Sequence, residues 1–328
     1  MKLAAIAFTE RGVQLGNRIA AEFGECMTLT RCAPEGLSDW TRERFFDADA
    51  LLFIGASGIA VRAIAPHIES KLTDPAVVVM DECGEYCIPL LSGHVGGAND
   101  LAIRLAKMVG ARPVITTATD VNHLFAIDCW AVKQGLRIVN AEAIKHVSGK
   151  LLKGESVTIK SLFPILGTIP VGVALDDQNY DVLITYKTRG RPDALRLIAP
   201  VITLGIGCKK SVSVDAIEEA FAAMLGKSGC HPDAVRRVCS ITLKNNEAGI
   251  LEFCRRRKLP FTTFTAEQLM AVEGSFAASA FVKSVTGADN VCERSAVLGS
   301  DGGVLLTGKN AGNGVTMAMA IKQPVYQF

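Results

Sequence analysis

Three near-continuous apolar runs, at positions 3–8, 50–54 and 76–80, limit the folds open to this chain. A strand that is apolar at every position has no face to offer water, so helices must cover it on both sides. Segments of helical period lie between these runs, over residues 12–23, over 34–46, and from the turn at 55–58 to about residue 68. A shorter run at 27–30 reads as a further strand. The run 86–91 follows 76–80 across Glu82-Cys83-Gly84-Glu85, a hairpin signal, and a helix over 95–109 and a strand over 113–117 complete the pattern. The alternation predicts an α/β fold whose residues 1–120 form a doubly wound, mostly parallel sheet. Such sheets bind ligands beyond the carboxyl ends of their strands. Two glycine loops, Gly55-Ala56-Ser57-Gly58 and Ser92-Gly93-His94-Val95-Gly96-Gly97, each follow a strand, so one shared edge is expected for them.

At 328 residues the chain is too long for one ordinary core. The texture changes at residue 121: expected helices over 122–133 and 140–152 lead into a Pro- and Gly-rich stretch at 162–172 without a clean period. Residues 121–198 are therefore expected to form a smaller, less regular middle module. Over 199–328 the alternation returns as a second α/β domain, with strands at 201–206, 238–243, 261–264, 304–307 and 315–321. Thr265-Ala266-Glu267-Gln268 reads as a capping box. No uncharged apolar run approaches a membrane span, and Glu10 and Arg11 follow the first apolar run too soon for a secretion signal. Ten scattered cysteines fit reduced thiols in a cytoplasmic enzyme. A net charge of +2 without basic and aromatic clustering excludes a general nucleic-acid binder. Arg255-Arg256-Arg257-Lys258, the one basic run, falls where a helix should end and complements its dipole.

Chemistry concentrates at the glycine loops. His94 stands in a bare neighbourhood, and an unperturbed pKa of about 6.5 suits an imidazole to proton transfer near neutrality. It reads as a general base, as a group steadying a ligand carboxylate, or as a local backbone partner. Asp81 and Glu82 end a strand and offer an acid or base, although surface turns often end this way. Gly55, Ser57 and Gly58, with Arg62 on the helix that follows, read as an anion-binding turn or as a tight structural one. The full dinucleotide and triphosphate-loop signatures are absent. Ser92 lacks the flanks of a nucleophile elbow. With Asn99 it reads as a polar contact to ligand oxygens or as a local cap, beside the backbone of Gly93, Gly96 and Gly97. Cys83 and Cys87 find no second ligand pair, so no metal site is expected. Further on, Cys208 beside Lys209 and Lys210 is expected at a helix start, which would lower the thiol pKa, although a packed small residue is the plainer reading of Cys208. The lysine pair reads as an anion site or as a solvated turn.

Four blocks carry a resemblance: Phe53–Pro66, Asp74–Asp81, Ile88–Leu101 and Pro113–Asp120, followed by Gly205-Ile206-Gly207-Cys208-Lys209-Lys210. Together they resemble the cobalt-precorrin-5A hydrolases of cobalamin biosynthesis, end to end and most weakly in the middle. The resemblance implies a cobalt tetrapyrrole substrate with many acidic arms, whose ring-A lactone is opened by water with release of acetaldehyde. It implies no cofactor beyond the cobalt that the substrate carries, neighbouring enzymes of the corrin pathway as partners, and neither nucleic acid nor membrane. Within it, His94, Asp81 or Glu82 would activate water and the glycine backbone would hold the oxyanion. Arg62, Lys209 and Lys210 would anchor carboxylates. A tetrapyrrole carrier without chemistry, or a phosphate-binding α/β enzyme, would use the same loops.

Overall fold

The computed structural model describes residues 1–32, 36–70 and 73–328. It divides into two compact units, residues 1–132 with 151–154, and residues 133–150 with 155–328. The chain crosses between them three times, at 132/133, 150/151 and 154/155, the first two within helices.

The first unit is built on six strands: β1 (Leu3–Ala7), β2 (Met27–Arg31), β3 (Ala50–Ile54), β4 (Ala76–Met80), β5 (Tyr86–Leu91) and β6 (Arg112–Pro113). They lie in the order β2-β1-β3-β4-β5-β6. Every residue of β1, β3 and β4 is buried, as their unbroken apolar runs require. Successive side chains alternate between two cores. Leu52, Ile54, Val78 and Met80 meet helices α1 (Glu10–Phe23) and α4 (Ala98–Val109) through Leu15, Ile19, Leu101 and Leu105. Leu51, Phe53, Val77 and Val79 face α2 (Leu37–Asp47) and α3 (Ser57–Ile64) through Phe45, Ala60 and Ile64. The start expected for α2 at Pro34 lies outside the described residues. Pro66 turns the end of α3 into a 3-10 turn, earlier than the expected residue 68.

The hairpin at Asp81–Glu85 forms as its sequence indicates, with Gly84 at φ 71° and its N–H on the Asp81 carbonyl at 3.0 Å. Its consequence overturns the shared edge. Strand β5 runs antiparallel to β4, pairing Cys87 with Met80 and Leu91 with Val77, and β6 is parallel to β5. The carboxyl ends of β3 and β4 therefore lie at one sheet edge and those of β5 and β6 at the other. A five-residue strand separates these edges by about 16 Å.

Three further expectations are corrected here. Helix α4 begins at Ala98 and not at residue 95, because Gly97 adopts φ 80° and the loop folds on itself before it. Of the strand expected at 113–117 only Pro113 joins the sheet, with Arg112 before it. Of the helix expected over 122–133 only α6 (Ile127–Lys133) forms; a separate short helix, α5 (Ala118–Val121), precedes it, and His123 in the link between them takes φ 53°.

The second unit carries two five-stranded sheets. The first is ordered β10 (Val173–Leu175), β8 (Val157–Ser161), β11 (Val182–Thr185), β12 (Leu195–Ile198) and β7 (Arg137–Ile138), flanked in sequence by α7 (Ile144–Leu152). Two short strands, β9 (Ile165–Leu166) and β18 (Tyr326–Gln327), pair separately. The second sheet is ordered β15 (Phe261–Phe264), β14 (Val235–Ile241), β13 (Ile202–Cys208), β17 (Val315–Ile321) and β16 (Val304–Gly312). Helices α8 (Val214–Ser228) and α9 (Ala248–Arg257) meet through an edge-to-face contact of Phe221 and Phe253, with ring centroids 5.3 Å apart. The capping box opens α10 (Ala266–Met270), with both of its reciprocal bonds present. Helices α11 (Ala280–Thr286) and α12 (Cys292–Gly299) complete the unit. The basic run ends α9, where Arg255 and Arg256 pair with Glu252 and Arg257 with Glu218. Among the described residues no helix is long and apolar enough to cross a membrane.

Candidate functional site

The reversal of β5 divides the residues singled out in the first unit into two groups. At the carboxyl end of β3 and β4 lie Gly55, Ser57, Gly58, Arg62, Asp81 and Glu82. Gly55 is there for packing: a Cβ would stand 2.7 Å from the Phe8 ring. The Arg62 guanidinium folds back over Gly58. Asp81 accepts N–H bonds from Cys83, Glu85 and Tyr86 at 2.9, 3.0 and 2.6 Å, which makes its carboxylate the clasp of the hairpin. Glu82 accepts the Thr9 hydroxyl. His94 is at the opposite edge, so neither acid is placed to act with it.

Around His94 the second glycine loop closes tightly. Gly96 sits where a Cβ would come within 2.3 Å of the Ser92 Cβ, so no larger residue fits. Ser92, held at φ 54°, donates its hydroxyl to the Asp74 carbonyl at 3.0 Å and serves the fold. The N–H groups of Gly97, Ala98 and Asn99 bond the carbonyls of His94, Ser92 and Gly93. Gly97 is thus unavailable as an oxyanion donor. Among the described residues the N–H groups of Gly93 and Gly96 have no such partner.

The break between α5 and α6 presents two aspartates to the imidazole. His94 Nε2 lies 2.9 Å from Asp120 Oδ2 and 3.1 Å from Thr119 Oγ1, while Nδ1 lies 3.3 Å from Asp128 Oδ2. Asn99 Nδ2 donates to Asp120 Oδ2 at 2.8 Å and to Thr117 Oγ1 at 2.9 Å. The side chain of Asp128 is 7% exposed and that of Asp120 is 39% exposed, so one carboxylate is buried support and the other faces solvent. The hydrogen bond to Asp128 raises the His94 pKa above its ordinary value; burial opposes it, and the Asp128 charge and Asp120 reinforce it. Burial alone would push Asp128 up, but the His94 bond and charge, with the Cys129 N–H, leave it below the usual carboxylate range. The two carboxylates therefore favour the protonated imidazole more than water would. Ligand atoms of His94, Asp128 and Cys129 also lie within 4.8 Å of one another, so a cation there would compete with that proton.

Asp120, Asp128, Thr117 and Thr119 were not singled out from sequence. Asp120 ends one of the blocks that carry the resemblance. Asp128 had no signal, because its role depends on a helix break that periodicity does not register.

In the second unit, Cys208 ends β13, and α8 starts only at Val214 behind its cap Ser213. The helix start expected at Cys208 is absent, and so is its effect on the thiol: burial raises the Cys208 pKa, with nearby Lys244 opposing. Lys209 and Lys210 occupy the following turn. All three residues line a cavity of about 930 Å³, together with Lys309, Phe281 and Val285.

Residues 39–120 match the family described as cobalamin synthesis G N-terminal, and residues 202–320 match cobalamin synthesis G C-terminus. A cobalt-precorrin-5A hydrolase of Salmonella typhimurium is 36% identical over 326 residues, which cover 92% of this chain and 93% of that one. A cobalt-precorrin-5A hydrolase of Priestia megaterium is 30% identical over 293 residues, covering 83% and 78%.

Proposed function

Since the chain belongs to the cobalt-precorrin-5A hydrolase family, enzymes of cobalamin biosynthesis, we propose that it opens the ring-A lactone of cobalt-precorrin-5A with water and releases acetaldehyde. The observation that supports this reading most is His94 held between Asp120 and Asp128. Water adds to the lactone carbonyl as its proton passes to Asp120, the solvent-facing carboxylate. The N–H groups of Gly93 and Gly96 and the His94 imidazolium meet the developing oxyanion. Collapse of the tetrahedral intermediate breaks the acyl C–O bond, leaving a ring-A carboxylate and an alkoxide that takes the His94 proton. The resulting hydroxyl then loses its proton to the cluster and becomes the acetaldehyde carbonyl. The carbon–carbon bond to the macrocycle breaks, its electron pair enters the conjugated ring, and the ring is protonated. The product is cobalt-precorrin-5B.

Asp128 positions His94 and holds its charge. Lys209 and Lys210 anchor acidic arms of the substrate. Arg62 and the Gly55–Gly58 turn have no part in this chemistry, because they lie at the other edge of the sheet. A carrier without chemistry would need no proton donor set between two carboxylates. Incubation with cobalt-precorrin-5A in H₂¹⁸O tests the proposal. Free acetaldehyde and one ¹⁸O in the ring-A carboxylate are expected. Substrate recovered intact, with no acetaldehyde, would leave the chain without the proposed reaction.

A further inference from the structure

The lining of the cavity in the second unit is of two kinds. Phe281, Val282 and Val285 of α11 contribute to it with Leu243. Three of these are far more exposed than apolar side chains normally are, Phe281 at 77%, Leu243 at 65% and Val285 at 62%. Isolated exposed apolar residues need no explanation, but several gathered around one concavity mark a binding surface. Lys209 and Lys210 in the turn after β13 and Lys309 on β16 line the same cavity. Of the four lysines in its lining only Lys244 has an acidic partner, the lining's one carboxylate, Glu247, at 3.1 Å. Among the described residues Lys209, Lys210 and Lys309 make no ion pair. A lining that combines exposed apolar side chains with lysines lacking a counter-charge calls for a ligand with both apolar surface and anionic groups. The volume, about 930 Å³, lies at the large end of small-molecule sites.

We propose that this cavity binds a flat, apolar ring system through contact with Phe281, Val285 and Leu243, and reads carboxylates on its rim through Lys209, Lys210 and Lys309. Binding belongs to the second unit and does not need the His94 cluster. This deepens the function proposed above, whose substrate is a ring with acidic arms, and rests on it for the ligand's identity.

The test is calorimetric titration of the full-length protein with cobyrinic acid, a cobalt corrin with free carboxylates, and with dicyanocobinamide, whose arms are amides. Cobyrinic acid is expected to bind at least tenfold more tightly than dicyanocobinamide. Lys209→Glu/Lys210→Glu and Phe281→Ser should each weaken cobyrinic acid binding about tenfold or more. Both changes are at exposed positions, and circular dichroism and thermal melting verify that the variants fold. His94→Ala should bind within about twofold of wild type. Absence of wild-type binding, equal affinity for the two corrins, or wild-type affinity in the folded lysine or Phe281 variants overturns the proposal. So does loss of binding in folded His94→Ala. If cavity variants bind normally while the wild type still releases acetaldehyde from cobalt-precorrin-5A, this site is wrong and the function stands. If the cavity binds as described but no acetaldehyde forms, the site stands and the function fails.

Discussion

His94 is set apart from an ordinary solvent-facing histidine by having a carboxylate on each ring nitrogen. Its raised pKa fixes the sign of the pH dependence. A donor that must be protonated keeps the rate up to a pH above the ordinary histidine value of about 6.5, beyond which the rate falls. The same linkage acts on stability: the His94 contribution is complete below about pH 6.5 and is lost as pH rises through its folded-state pKa. Asp128 behaves oppositely, since its lowered pKa stabilises above the ordinary aspartate value of about 3.9 and that stability is lost as pH falls through its folded value. Replacing Asp128 by Asn should therefore move the alkaline limb of the kcat profile to lower pH. It should also cost about 1–3 kcal/mol in urea unfolding, as expected when a buried bond to a charged group is lost. An unmoved alkaline limb would show that Asp128 does not control the imidazole.

At the scale of elements, the site depends on two interruptions. A hairpin of a few residues reverses the sheet and puts the two glycine loops at opposite edges. The break between α5 and α6, at His123, turns Asp120 and Asp128 toward one ring. Strands β3 and β4 were legible in the sequence because burial on both faces leaves no polar position. The hairpin was legible as a turn, and His94 as a residue among glycines. A hairpin makes its two strands antiparallel, so the turn already carried the reversal that sends the second glycine loop to the other edge. Asp128 was invisible because an acidic residue in the first turn of a helix is ordinary for capping and dipole reasons alone. The cavity was half legible: Lys209 and Lys210 stood out, but nothing in the sequence singled out Phe281 and Val285, whose exposure belongs to the fold. The edge assignment has its own test. Arg62→Ala should leave both kcat and KM within about twofold of wild type, and a KM raised tenfold would mean that the substrate reaches the Gly55–Gly58 edge.

For the whole molecule, the proposed proton chemistry belongs to the first unit and the proposed ring-binding cavity to the second. The sheet of the first unit is covered on both faces, and the cavity of the second is lined by residues of β13 and α11. The measurement that bears most directly on this division is the rate of acetaldehyde release from cobalt-precorrin-5A by His94→Ala beside the wild type. A fall of about a hundredfold or more is expected for a lost general acid–base group. Release by the variant at the wild-type rate would contradict the assignment of His94 to the reaction.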